Sequence, residues 1–259
     1  MTLVIWVISI LGGFSIPDAL LYDQYVRSCA TVKKQPSEVL LIGVSAEDLS
    51  MDTSFWVALV EQLQILKPEK ILVLDLPHTI SDKFWVQMRR HKNIVIGVKT
   101  KRGGTKGKPF STVPDPDKLA ESQIEFAAVT IPPSYHGIHR HQQASYEING
   151  KTYDTIEYQV YRQTVKDNLK HFQKPFLIDF RGKENSLPLI DFDRALAGGL
   201  LPQLTTGKYV IIGLNPDDAE KKVSTPITPH KGMTPIRFHG HSLDTLLKDN
   251  VIMETDSWM

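Results

Sequence analysis

Short apolar runs recur along most of this chain and are separated by polar or amphipathic segments. Five of the runs are rich in branched residues and bounded by turn residues, which predicts strands buried on both faces. These runs occupy residues 38–45, 67–77, 93–100, 174–182 and 207–216. Strand, helix and strand at this spacing predict parallel, right-handed βαβ units.

The amphipathic segments between the runs predict helices that cover the sheet. In residues 54–66, apolar side chains recur on one helical face. They are Phe55, Leu59, Leu63 and Leu66. Further helices are predicted in residues 81–90, 156–169 and 189–199, and a last strand near residue 237 leads into a final helix.

One hairpin interrupts this alternation. Asn149-Gly150 lies in the middle of the alternating stretch 146–154, and this dipeptide favours the tight turn of a β-hairpin. Strands and helices otherwise alternate. The pattern therefore predicts an α/β fold, with a mostly parallel or mixed central sheet flanked by helices and an inserted β-hairpin.

The first 17 residues contain no charged side chain. A run of this length is at the short limit for a membrane-spanning helix, which takes about 17–25 residues, and it lacks the basic start of a secretory signal peptide. We interpret residues 1–17 as a membrane anchor that is clipped at its start, with a buried core helix as the alternative. Residues 18–29 predict an amphipathic, membrane-proximal helix, and residues 18–259 form the folded domain.

Composition and charge argue against several classes of function. The formal net charge is +1, and no basic stripe with interleaved aromatic residues is present, so we expect no nucleic-acid partner. Cys29 is the only cysteine, which excludes a disulfide within the chain and a multi-cysteine zinc site.

Motifs for catalysis are weak. The glycine- and lysine-rich segment 99–118 lacks the spacing of a phosphate-binding loop, and no serine nucleophile elbow occurs. Asp75, Asp179 and Asp191 could supply paired carboxylates, although aspartates at strand ends often cap the following loop instead. An enzyme is therefore the lesser hypothesis.

Histidines cluster in two places. His239 and His241 precede the last predicted helix, where their two-residue spacing directs the side chains away from each other, and no nearby residue completes a ligand set. His136, His139 and His141 fall in a predicted surface loop without a defined ligand geometry. We predict no cofactor and no metal site, and leave adventitious zinc or nickel binding at the second cluster open.

Five blocks of the C-terminal half resemble the CHASE sensory domain of the second type. They are “PFLIDFRG” (175–182), “PLIDFDRALAGG” (188–199), “LTTGKYVIIG” (204–213), “STPITP” (224–229) and “IRFHGHSLDTLLKDNVI” (236–252). The N-terminal half is similar more loosely, through “LLYDQYVR” (20–27) and “ILVLDLP” (71–77). The family's acidic pair after the first strand and its tryptophan- and proline-rich segment are replaced here by “GVSAEDLSMDTSFWVAL” (43–59), which retains Trp56.

This family is the extracytoplasmic sensor found in front of bacterial cyclases, histidine kinases and serine/threonine kinases. The resemblance implies a non-enzymatic input domain on the periplasmic or extracellular side of the inner membrane. Its expected partners are an unknown small ligand or a periplasmic protein, the membrane through the N-terminal segment, and a second copy in a homodimer. Two alternatives stay open: a stand-alone periplasmic ligand-binding protein or hydrolase-like enzyme, and a docking module without a ligand.

The fold indicates where a ligand would bind, because open α/β sheets place their sites beyond the carboxyl ends of the strands. Five polar residues are predicted there: Asp75, Asp179, Arg181, Asn215 and His239. The guanidinium of Arg181 suits a carboxylate or phosphate group. An internal Asp–Arg pair that ties the loop to the core is the alternative role for the same residue.

Overall fold

The structure is a computed structural model that describes residues 15–29, 37–101, 111–113, 124–148, 150–164, 175–180, 184–216, 222–248 and 252–253. The strands are, in chain order, β1 (Val39–Val44), β2 (Lys70–Val73), β3 (Ile94–Lys101), β4 (Ser111–Val113), β5 (Glu125–Ala128), β6 (His141–Gln142), β7 (Ser145–Ile148), β8 (Lys151–Asp154), β9 (Phe176–Leu177), β10 (Leu189–Asp191), β11 (Tyr209–Leu214) and β12 (Ile252–Met253). The α-helices are α1 (Ser15–Cys29), α2 (Thr53–Ile65), α3 (Asp82–Arg89), α4 (Ile156–Thr164), α5 (Phe192–Arg194), α6 (Pro202–Thr205) and α7 (Pro235–Leu247).

Six parallel strands form the central sheet, in the order β10-β1-β11-β2-β3-β5, and β4 pairs antiparallel with the end of β3. All six residues of β1 are buried, as expected for a parallel strand covered on both faces. Helices α2 and α3 pack on one face, and helices α4 and α7 pack on the other. The predicted α/β class and central sheet are confirmed.

Smaller elements lie outside the central sheet. Strands β7 and β8 pair antiparallel around Gly150, whose φ of 75° suits glycine, and this confirms the hairpin. Strands β12, β9 and β6 form a separate three-stranded sheet, called the small sheet below. Residues 102–110 and 114–123, which include most of the predicted glycine- and lysine-rich loop, lie outside the described residues.

Three predicted elements were wrong in detail. The strand predicted near residue 237 is part of α7, because Pro235 in the first turn has a φ that suits a helix start. The strand predicted over 174–182 is reduced to Phe176–Leu177, which belongs to the small sheet. Its apolar run indicates that the segment is buried, but not which sheet it joins. The first three residues of the helix predicted over 189–199 form strand β10 instead. Three residues are too few to show the alternation that is typical of a strand.

Helices α4 and α7 run antiparallel to the strands they cover. Asp244, near the end of α7, accepts a hydrogen bond from the Ser37 hydroxyl at 2.9 Å, just before β1. Thr164, at the end of α4, contacts the hydroxyl of Tyr209 at the start of β11. The N-terminal turns of both helices therefore lie towards the carboxyl edge of the sheet.

The N-terminal segment is described only in part. Residues 1–14 of the predicted anchor lie outside the described residues, and α1 covers the rest of that segment and the predicted membrane-proximal helix. Within the described ranges, the model contains no helix with both the length and the apolar character needed to cross a bilayer.

Candidate functional site

Asp75 lies at the carboxyl edge of the sheet, directly beyond β2, as predicted. One carboxylate oxygen forms an ion pair with Lys99 of β3. The other accepts a hydrogen bond from the backbone N–H of Leu214 at 2.9 Å. Asp75 therefore ties the ends of three neighbouring strands together, and both of its oxygens are occupied by the fold.

Asn215 also lies at this edge, at the end of β11. Its backbone N–H donates to the carbonyl of Val44 at 2.9 Å. Its side chain packs over Gly43, where an added Cβ would lie 3.0 Å from the Asn215 Cβ. The bare glycine of β1 thus makes room for the amide, and Asn215 and Asp75 come together beyond neighbouring strands.

Asp179 lies elsewhere, which contradicts its predicted position at the central sheet. It follows β9 in the small sheet and is buried, and its backbone N–H donates to the Thr245 hydroxyl of α7 at 2.9 Å. Burial, together with the negative charges of Asp179 and Asp23, raises the pKa of Tyr22. Asp179 therefore faces α1 rather than the strand-end crevice. Arg181 lies outside the described residues.

His239 is buried in the first half of α7 and faces α4. Its Nδ1 contacts the Oε1 atom of Glu157, in the first turn of α4. The two side chains are 2% and 0% exposed, respectively. His241, two residues later, lies against Phe180 with ring centroids 5.6 Å apart, so the two histidines of the “HGH” stretch face different neighbours.

The same Glu157 oxygen has a second donor. Gln142 of β6 directs its Nε2 to Glu157 Oε1 at 3.4 Å and to the carbonyl of Thr130 at 3.3 Å. Gln142 is fully buried. Strand β6 of the small sheet is therefore joined by side-chain contacts to α4 and to the loop after β5, and through Glu157 to His239 of α7.

Two polar atoms in this cluster have no hydrogen-bond partner within the described part of the chain: Glu157 Oε2 and the Tyr146 hydroxyl. Burial, together with the nearby charge of Glu157, raises the pKa of Tyr146, so that hydroxyl stays protonated. Buried polar groups are nearly always hydrogen-bonded in proteins. The carboxylate oxygen can therefore still accept a hydrogen bond, and the hydroxyl can still donate one.

Glu157 was missed in the sequence, although a signal was present. Val160 and Tyr161 are buried on α4, and Glu157 precedes them by three and four residues, which places it on the same helical face. Burying a carboxylate on the inner face of an amphipathic helix costs free energy unless hydrogen bonds or a charged partner compensate. It was therefore a candidate functional residue.

The second histidine cluster is dispersed. His139 places its Nδ1 2.9 Å from the carbonyl of Pro132, and burial lowers its pKa. His136 has a positive φ of 48° in a turn, and His141 belongs to β6. No group of three histidine, cysteine or carboxylate side chains suited to a metal ion occurs among the residues that the structure describes.

Comparison with known proteins identifies the family of the chain. The family model of the CHASE2 domain matches residues 1–259. Neither the curated proteins nor the solved structures compared with the chain gave a match. Because the family model spans the whole sequence, the chain belongs to the CHASE2 family, whose members are extracytoplasmic sensory domains.

Proposed function

We propose that this chain is the input domain of a membrane-bound bacterial receptor. It binds a small ligand or a periplasmic protein at the carboxyl edge of the central sheet, and it relays the bound state to a cytoplasmic output domain through the segment that precedes α1. The domain lies on the outer side of the inner membrane and catalyses no reaction. The homodimer stays a prediction.

One observation carries this proposal: within the described residues, the buried Glu157–His239 pair leaves Oε2 of Glu157 without a hydrogen-bond partner, and the hydroxyl of Tyr146, whose pKa burial and the charge of Glu157 raise, has none either. An unsatisfied buried polar group costs about 1–3 kcal/mol. A core that served stability alone would fill these positions with apolar side chains. A ligand that donates a hydrogen bond to Glu157 recovers this cost on binding.

The location of the cluster supports the same function. Glu157 lies in the first turn of α4, and His239 in the first half of α7. Both helices direct these turns towards the carboxyl edge, where α/β proteins bind ligands. By contrast, both carboxylate oxygens of Asp75 at the same edge already have partners within the fold. Glu157 and His239 are therefore the residues that we assign to binding.

The test is thermal denaturation of the protein with a panel of amino acids, amines, sugars and carboxylic acids. A ligand present at 100 times its dissociation constant stabilises the native state by about 2.7 kcal/mol. We expect one compound class to raise the melting temperature of the wild type. Glu157→Gln, which removes the charge at nearly constant shape, should abolish that increase.

Glu125→Gln is the matched control, because Glu125 pairs with Lys70 at 3.4 Å and accepts hydrogen bonds from Gln159 and Gln163 of α4, outside the Glu157–His239 pair. It should keep the full response to the compound. A response that survives Glu157→Gln would contradict the assigned site. A panel without any response would contradict small-ligand binding, and turnover of a bound compound would contradict a purely sensory role.

A further inference from the structure

Helix α1 is joined to the body of the domain by a buried ion pair. Arg140 donates from Nε to one oxygen of Asp23 at 2.7 Å and from Nη2 to the other at 2.6 Å. The side chains are 4% and 5% exposed, respectively. Both carboxylate oxygens are occupied, and the planar guanidinium makes the paired contact that arginine favours with a carboxylate.

Arg140 is itself fixed in place. Its remaining terminal nitrogen donates to the carbonyl of Tyr135 at 3.0 Å. Its own carbonyl accepts a hydrogen bond from the N–H of Ile178 at 2.8 Å, which extends the pairing of β6 with β9. One residue thus carries both the backbone pairing beside β6 and the guanidinium that holds Asp23.

The other contacts of α1 fall on the same side of the helix. The Tyr22 hydroxyl donates to the carbonyl of Ile178, Val26 is buried, and Arg27 donates to the carbonyl of Pro226 at 2.9 Å. These contacts lie outside the central sheet. On the opposite side, Leu21 and Tyr25 are 64% and 48% exposed, so the described residues cover α1 mainly on one face.

Arg140 of the ion pair precedes Gln142 of the candidate binding cluster by two residues in the sequence. Arg140, just before β6, holds α1, and Gln142 of β6 contacts Glu157 Oε1. A second connection runs beside it: the Ile178 carbonyl accepts from Tyr22 of α1, and the adjacent Asp179 N–H donates to Thr245 of α7. The segments around β6 and β9 thus contact both α1 and the two helices that carry Glu157 and His239.

We propose that the Asp23–Arg140 pair is a latch whose closure depends on the Glu157–His239 cluster. When a ligand draws Glu157 away from Gln142, β6 shifts and the latch opens, so that α1 separates from the small sheet. The latch is then the two-state element whose equilibrium both regions bias, as coupling between distant sites requires. This inference rests on the proposed function, since it supplies the relay from the binding cluster to the segment before α1.

The single cysteine of the chain permits a direct test, because Cys29 is the last residue of α1. A nitroxide attached to Cys29 in the purified 259-residue chain, held in detergent, reports the mobility of α1 by its electron paramagnetic resonance spectrum. We expect Asp23→Asn to raise the mobile fraction several-fold. We expect Gln142→Leu, which leaves every direct contact of α1 intact, to raise it as well.

Gln62→Leu is the matched control for Gln142→Leu, because Gln62 of α2 donates to the carbonyl of Leu196 at 3.1 Å on the other face of the central sheet, and it should leave the spectrum unchanged. Tyr22→Phe removes one hydrogen bond of α1 and provides a mild variant that should fold if Asp23→Asn does not.

An unchanged spectrum in the folded α1 variants would overturn the latch. A response to Asp23→Asn or Tyr22→Phe without one to Gln142→Leu would overturn its coupling to the cluster. If Gln142→Leu does not fold, Glu157→Gln replaces it. An increased mobile fraction in that variant would support the coupling to the cluster, and an unchanged spectrum would overturn it. Compound binding in thermal denaturation tests the proposed function separately, so the two failures can be told apart.

Discussion

Two buried carboxylates of this domain each contact a basic side chain, and they differ in how completely their oxygens are hydrogen-bonded. In the Asp23–Arg140 pair both carboxylate oxygens accept a hydrogen bond from the guanidinium. In the Glu157–His239 pair one oxygen accepts from two side chains, and the other has no partner within the described residues. The complete pair joins two parts of the fold, whereas the incomplete pair retains capacity for a group from outside.

The pairs also differ in how the protein can respond when they are broken. Glu157 and His239 are buried between α4 and α7, so a polar group left there without a partner stays buried. Asp23 lies on a helix that is covered on one side, and α1 can detach and return the carboxylate to water. Breaking the inner pair should therefore cost more stability than breaking the outer one.

The largest effect is expected for Glu157→Leu. It removes the acceptor of both His239 and Gln142, and each buried donor left without an acceptor costs about 1–3 kcal/mol, or about 2–6 kcal/mol together. The free energy of unfolding, measured by urea denaturation, should fall by that amount. A loss below about 1 kcal/mol, the range of exposed pairs, would show that Glu157 is not buried against His239.

A smaller effect is expected for Arg140→Met. Release of α1 limits the penalty for an unpaired Asp23, so we expect a loss of about 1–3 kcal/mol, the cost of one unsatisfied buried group, measured by the same denaturation. Arg162→Met is the control, because its partner Asp154 and Arg162 itself are 20% and 51% exposed. The control should lose less than about 1 kcal/mol; an equal loss in both variants would remove the distinction.

Two tyrosine substitutions compare a hydroxyl that donates a hydrogen bond with one that has no partner within the described residues. Tyr22→Phe deletes a hydrogen bond to the Ile178 carbonyl and should lower the free energy of unfolding by about 0.5–1.5 kcal/mol. Tyr146→Phe deletes a hydroxyl without a partner in the described residues and should leave stability unchanged or slightly higher. Thermal denaturation compares the two variants, and a larger loss for Tyr146→Phe would contradict the assignment of its hydroxyl to a ligand.

Part of this arrangement could be predicted from the sequence. The apolar run of β1 and the position of Asp75 after β2 indicate a parallel sheet and its functional edge, because burial and strand ends are local properties. His239 was predicted just before the last helix, whereas it lies within α7.

Other features depend on contacts between distant parts of the chain. Asp23 and Arg140 are 117 residues apart, and His239 and Glu157 are 82 residues apart, so no local pattern connects them. Asp179 was placed at the wrong edge because its apolar neighbours Ile178 and Phe180 indicate burial without specifying which surface covers them. Hydrogen-bond satisfaction, which separates Asp75 from Glu157, is visible only in three dimensions.

Native-state hydrogen exchange tests the central claim most directly, because it measures the opening free energy of each helix and strand separately. The amides of α1 and of the central strand β11 would be followed in the wild type and in Arg140→Met. We predict that α1 exchanges through an opening of lower free energy than β11, and that Arg140→Met lowers the value for α1 while β11 keeps most of its protection. Equal protection of α1 and β11, falling together in the variant, would contradict a latched helix and make α1 an inseparable part of the core.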